Sequence, residues 1–382
     1  MYSFSRIFYY CVYSILSSLK SPWYWIVLFI VAFQYKKLGK MEKVMLGSVK
    51  EPLYAKTIIS GVVGLLGGIV GSIILLYLET TVSAKDFYII LPLALLLSII
   101  HPRFICFSYA GGIVALSSLI FGYPEVNVAS IMTIVAVLHL VESLLIVLDG
   151  SKDKIPIFME REGQVVGGFT MNRFWPVPFI VLFNGRYEIY PMTVMAILGY
   201  GDFAITQYPY QKTRYTASAL LSYSIILLIL SQLSYIYPLF NYISAIFAPM
   251  CHEIIIFMGR RKEKRQKALF QPSSQGVKIL DTIPKGVGEK IGLSTGDIIL
   301  SVNGSKVTTK EDIENVLRCK PSFIWIDVFK NKKGVATEEY KDYVNGISSL
   351  DILVVPNEYE YTFIVEEGES PLNRWIKKLK NK

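Results

Sequence analysis

The sequence predicts a polytopic α-helical membrane protein of about seven spans, followed by a small cytoplasmic α+β domain. Three observations carry that expectation. Of the 69 charged residues in the 382-residue chain, 39 fall in the last 124 positions, so the two parts are built for different solvents. Several charge-poor windows approach the roughly 20 apolar residues that cross a bilayer core of about 30 Å. From Gly276 onward the pattern changes to short alternating segments punctuated by glycine. The composition excludes a wholly cytosolic enzyme. Cys11, Cys106, Cys251 and Cys319 form no C-x-x-C pair, which argues against a disulfide framework or a cysteine zinc site.

The spans are read in order. Trp23 to Tyr35 opens with an aromatic interface belt, Pro22-Trp23-Tyr24-Trp25. Thr57 to Leu78 carries no charge and holds Gly61, Gly64, Gly67, Gly68 and Gly71, a small-residue stripe suited to close helix approach. Phe87 to Ile100, Phe104 to Phe121 and Val128 to Leu148 follow, and Ala217 to Tyr237 with Leu239 to Met258 form a last hairpin. Phe174 to Tyr200 is apolar but interrupted by Pro176, Pro178 and Pro191, so a broken hairpin or a surface-lying helix pair is expected.

Six lysines between Lys36 and Lys56, and the basic run after Arg260, place those segments and the C-terminus in the cytoplasm. The N-terminal apolar stretch runs into lysines without a small-residue cleavage site, unlike a secretory signal. The resulting division is a helical domain over 1–258 with a cytoplasmic or re-entrant region at 149–216, then a basic linker over 259–275. A folded domain over 276–342 follows, and further strands with a basic tail occupy 343–382.

In the soluble tail, Gly276 to Leu280 alternates as a strand, Val287 to Ile291 suits a short helix, and Gly292 stops it in the left-handed region. Ile298 to Val302 is a strand ending in the tight-turn pair Asn303-Gly304. Thr309 and Asp312 have capping-box spacing ahead of a helix through Ile313, Val316 and Leu317. Phe323 to Phe329 is another strand, and Leu350 to Val355 and Tyr359 to Val365 are candidates for two more. The final Trp375 among lysines is compatible with an anionic lipid surface.

The segment Val277 to Phe329, with its IGLSTGDIILSVNG core, resembles a bacterial PDZ domain. That resemblance implies peptide binding by strand addition beside a helix. Carried onto this chain, it assigns Gly276, Val277, Lys278, Ile279 and Leu280 to the accepting edge and Ile313, Val316 and Leu317 to the facing helix. Gln271 to Gln275 stands where many such domains carry a glycine-rich loop for a terminal carboxylate.

No catalytic constellation is legible. His252-Glu253 lacks the second histidine of an H-E-x-x-H zinc motif, and Leu148-Asp149-Gly150 precedes it instead of following. With only His101, His139 and His252 in the chain, neither metal nor cofactor is expected, and His252-Glu253 reads as a polar pair near Arg260. A serine-protease triad has no suitable serine. Gly199-Tyr200-Gly201-Asp202 matches the end of a potassium filter but lacks the preceding Thr-Val, so it reads as a glycine-rich turn. His139 and Glu142 share a helix face, where a structural hydrogen bond or a position near the cytoplasmic interface is favoured over an ion path.

The block Leu138 to Phe179, the AILGYGDFAIT segment at Ala196 to Thr206, the final hairpin ending in HEIIIFMGRR and the PDZ-like tail together resemble the MinJ group of cell-division topology proteins. The resemblance implies a non-enzymatic, multi-pass adaptor at the cell membrane that links a DivIVA-type polar protein to a MinD-type ATPase. It would contact membrane lipids, with homo-oligomerisation open and no role for nucleic acid. The alternatives are a degenerate site-2-protease-like membrane protein, a transporter or a sensor.

Overall fold

The computed structural model describes residues 4–185, 188–330 and 334–356. The N-terminal part comprises α1 (Phe4–Ser17), α2 (Pro22–Leu46), α3 (Leu53–Tyr77), β1 (Thr81–Val82), α4 (Ala84–Ile100), α5 (Phe107–Phe121) and α6 (Val128–Asp149). It continues through β2 (Ile155–Arg161), β3 (Gln164–Asn184), β4 (Ile189–Ala204), α7 (Pro209–Ser234) and α8 (Leu239–Arg265). The C-terminal domain follows with β5 (Val277–Thr282), α9 (Val287–Lys290), β6 (Ile298–Val302), β7 (Ser305–Lys306), α10 (Lys310–Leu317), β8 (Phe323–Lys330), β9 (Gly334–Lys341) and β10 (Ile352–Val354). The expected strand at Tyr359 to Val365 and the Trp375 tail lie outside the described residues.

Among the described residues four helices, α3, α6, α7 and α8, are long and apolar enough to cross a membrane. Helices α1 and α2, bent by 74° at their junction, add a fifth if taken as one span. At 17 and 15 residues, α4 and α5 fall short of the usual length, so among the described residues length and apolarity single out four or five candidate crossings of the seven expected. Helix α1 was not anticipated, and the expected Trp23 to Tyr35 span is the first half of α2. Helix α6 is the axis of the bundle. In its most apolar window 72% of the residues are buried, against 17% for α8.

The region Phe174 to Tyr200 departs most from expectation. It forms neither a broken hairpin nor surface helices but one continuous antiparallel pair, β3 with β4, in register from Phe169↔Ala204 to Asn184↔Ile189. The prolines do not interrupt it because of where they fall. The carbonyl oxygens of Pro176 and Pro178 point away from β4 and onto α3, so the missing N–H groups are ones the β3–β4 ladder does not use. The same outward edge exposes the N–H of Phe174, donated to the Tyr35 hydroxyl at 3.2 Å, and that of Ile180, donated to the Ser72 hydroxyl at 2.9 Å. Two residues further on, Leu182 pairs with Thr81 of β1. Each alternate position from 174 to 182 is thus capped, paired or proline, which blunts an edge that would otherwise leave backbone donors unsatisfied.

The glycine stripe explains the close contact. A methyl group added at Gly64 would stand 2.1 Å from the Pro176 carbonyl oxygen, and one at Gly68 would stand 2.0 Å from that of Pro178. The expectation of helix approach holds on the other side of α3, where Gly67 and Gly71 meet Val141 of α6. Helix α3 is therefore clasped between a strand and a helix. Gly199 to Asp202 lies within β4, paired with Phe174 to Met171, and forms neither an ion filter nor a turn.

A buried ion network closes the end of the bundle nearest the C-terminal domain. Lys56 of α3 binds Glu42 of α2 at 2.8 Å and Asp153 at 3.3 Å. Arg173 of β3 pairs with both Asp149 and Asp153, and the Trp175 indole donates to Asp149 at 2.8 Å. Glu42, Asp149 and Arg173 are each 1% exposed. Charges this dry persist only as a mutually paired set. Glu263, at the end of α8, similarly accepts from the backbone N–H groups of Ile205 and Thr206, both at 2.9 Å.

Candidate peptide-binding face

Local signals place the elements of the C-terminal domain. Gly292 has φ +75°, and Asn303 and Gly304 have φ +49° and +76°, so helix stop and tight turn form as expected. The Thr309 hydroxyl accepts from the Asp312 N–H at 3.2 Å, while the Asp312 carboxylate accepts from the Thr309 N–H at 2.9 Å, a complete capping box. Amphipathic α10 buries Ile313 and Leu317 in the domain core and leaves Val316 half-buried. That core also takes in Ile347, Leu350 and Val354, so the folded unit runs past residue 342.

The strand order is β10-β5-β6-β8-β9, with β7 on β6. This corrects the assignment of Gly276 to Leu280 as an open edge. β5 is an interior strand, with Val277↔Ile299 and Lys278↔Ile298 on one side and Thr282↔Ile352, Asp281↔Leu353 and Ile279↔Val354 on the other. Val355 adds its N–H to the Lys278 carbonyl at 3.0 Å. Gly276 serves packing: a methyl there would lie 2.1 Å from the Ile299 carbonyl oxygen. Among the described residues the terminal strands of this sheet are β10 and β9. On β10, Ile352 and Leu353 are half-buried, Ile352 packing on the domain core and Leu353 on the cluster around Phe270.

The faces of β5 are committed as well. Val277 and Ile279 enter the domain core. Leu280 enters a separate cluster with Phe158, Val165 and Phe169 of β2 and β3, together with Phe270 and Val355. The chain between α8 and β5 is accordingly no free linker. α8 runs to Arg265, Gly167 donates its N–H to the Phe270 carbonyl at 2.8 Å, and Leu269 donates to Ile205 at 2.8 Å. Lys50 pairs with Asp281 at 2.5 Å, and Lys154 reaches Thr295 at 3.1 Å. Burial in this seam pushes the Lys278 ammonium below its ordinary range, and does the same to Lys154, opposed there by the nearby Asp281 carboxylate.

A family model described as PDZ domain matches residues 279–328. That segment is a PDZ domain. No curated protein matches the chain. The PDZ domain is therefore a protein-interaction module, fastened by Leu280 and Phe270 to the hairpin of the helical part.

The polar residues of the helical part also differ from expectation. Glu253 pairs with Arg103 at 3.1 Å rather than with Arg260, and accepts from the Tyr109 hydroxyl at 2.6 Å. His139 donates from Nδ1 to the Val135 carbonyl of its own helix at 2.7 Å. Sequence reading missed that His139 and His252 converge on Cys106, because the three lie on separate segments with nothing local to join them.

Proposed function

We propose that this chain is a membrane-anchored PDZ adaptor and acts without catalysis. Four or five apolar helices hold it in the cell membrane, the PDZ domain faces the cytoplasm, and a partner segment adds as a strand to the outer edge of β10. The observation that carries this reading is the seam between the PDZ domain and the β2–β3 platform. Leu280, Phe270 and Phe169 are each 0% exposed, which holds the strand-accepting sheet in one orientation against the helices. A binding module fixed in this way presents its ligand at a defined height above a surface, as recruitment requires.

The resemblance to the MinJ group supplies the finer proposal: division-site selection, with a DivIVA-type polar protein and a MinD-type ATPase as partners. Ile352→Glu, which places charge on the edge strand β10, tests the binding face, with protease resistance of residues 276–356 as the control because Ile352 also packs on the domain core. Expected is loss of co-purifying partner from membranes of the native cell at wild-type protease resistance, with fluorescent fusions leaving poles and septa. Unchanged partner recovery and localisation would overturn the proposal.

A further inference from the structure

Cys106, in the turn before α5, sits against His139 of α6 and His252 of α8. The Cys106 Sγ lies 3.1 Å from His139 Nε2 and 3.8 Å from His252 Nε2, and all three ligand atoms fall within 4.8 Å of one another. We infer that these three side chains form a binding site for a zinc-class divalent ion, fastening the start of α5 to α6 and α8.

The hydrogen bonds around the rings decide which atoms face the site. His139 Nδ1 meets the Val135 carbonyl at 2.7 Å, and a carbonyl only accepts, so the ring hydrogen resides on Nδ1 and Nε2 keeps a lone pair. His252 Nδ1 meets the Tyr109 hydroxyl at 3.3 Å, and that hydroxyl gives its own hydrogen to Glu253 at 2.6 Å. Its oxygen is then free to accept from His252, and Nε2 of His252 again carries a lone pair. Arg103 in turn holds Glu253 at 3.1 Å. This chain of outer partners is the arrangement that orients metal-bound imidazoles.

Two lone pairs thus converge on a thiol that owns a single hydrogen. The S–H group serves one Nε2 and leaves the other without a donor; a cation serves both. Zn–S of about 2.3 Å and Zn–N of about 2.0–2.1 Å in a tetrahedron separate sulfur from nitrogen by about 3.5 Å. The two distances found bracket that value. The Ser108 N–H donates to the sulfur from 3.5 Å. Tyr109 packs edge-on to His252 and Tyr223 edge-on to His139, with ring centroids 5.3 and 5.2 Å apart, which fixes the imidazole planes. Binding converts Cys–SH to a metal thiolate and releases one proton, leaving a net charge of +1 on the three-ligand complex. A thiolate with two imidazoles suits zinc over magnesium or calcium, which take oxygen ligands.

The test uses the full chain, untagged and in detergent, desalted after exposure to zinc or cobalt. Wild type is expected to retain one equivalent of zinc, and the cobalt form to show a thiolate-to-metal charge-transfer band. Cys106→Ser is expected to lose both, and Tyr109→Phe to weaken zinc binding by about 10- to 100-fold through the orienting hydrogen bond. A chain carrying Cys11→Ala, Cys251→Ser and Cys319→Ser keeps every ligand and leaves no hydroxyl in the apolar cluster around Cys11. Zinc should slow alkylation of Cys106 in it, and a chelator should restore the rate. Zinc retention no greater than that of Cys106→Ser, a cobalt spectrum without the thiolate band, or alkylation indifferent to zinc would each overturn the assignment.

Discussion

Replacing Gly68 by alanine tests the clasp between α3 and β3 directly. The new methyl would lie 2.0 Å from the Pro178 carbonyl oxygen, where an ordinary C···O approach is about 3.3 Å. Strand and helix must therefore separate by about 1.3 Å. Overpacking of this kind costs about 1–3 kcal/mol, and the separation also strains the Ser72–Ile180 hydrogen bond, worth about 1 kcal/mol. Two neighbouring glycines supply the scale. Gly67→Ala meets first the side-chain methyl groups of Val141 and Leu145, at 2.9–3.3 Å instead of a backbone oxygen at 2.0 Å, so a smaller loss is expected. Gly39→Ala, inside α2 with nothing within 4 Å, should be neutral or stabilising by about 0.5–1 kcal/mol. The assay is thermal unfolding of the detergent-solubilised chain, which should rank Gly39→Ala above Gly67→Ala above Gly68→Ala. If Gly68→Ala melts with Gly39→Ala, the backbone contact is not formed and the account of the hairpin fails.

Three further outcomes are expected. Arg173→Ala takes the buried guanidinium from Asp149 and leaves Asp153 with Lys56 alone, and should cost about 3–5 kcal/mol, part of which Asp149→Asn in the same chain restores; a melting curve like wild type would contradict the buried network. Leu350→Ala, at 2% exposure and beyond residue 328, should destabilise the PDZ domain by about 2–5 kcal/mol, measured by protease resistance of residues 276–356, and equal resistance would place Leu350 outside its core. The Ser301 and Thr337 hydroxyls hold the Asp327 carboxyl below its ordinary range, so its contribution to stability is present above the unfolded pKa of about 3.9 and fades as pH falls through the lower folded value. The melting difference between wild type and Asp327→Asn should accordingly shrink as the medium is acidified below that range, and a difference growing toward low pH would reverse the sign.

Elements fixed by neighbours in sequence were legible, and those fixed by distant partners were not. Thr309 with Asp312, Gly292 and Asn303-Gly304 each satisfy backbone groups within a few residues, so composition alone revealed them. The strand at Leu350 to Val355 was visible as an apolar run, but its pairing with β5 depends on a chain reversal of about 70 residues that no local pattern encodes. That pairing moved the open edge from Gly276–Leu280 to β10. Pro176 and Pro178 read as breakers because sequence does not reveal on which side of a strand an N–H would point. The alternate spacing of the two prolines, ahead of Ile180, was the available clue. Cys106, His139 and His252 were judged singly, and 146 residues separate the outermost pair.

Strand β3 touches both ends of the molecule. It meets the PDZ seam at Gly167 and the short parallel bridge to β1 at Phe183, and at about 3.3 Å per residue this stretch measures about 50 Å. Unlike a string of hinged segments, a single unbroken ribbon transmits a push along its length with little loss. A displacement of the interaction module at Gly167 is therefore carried to the β1 bridge at the far rim of the helical bundle.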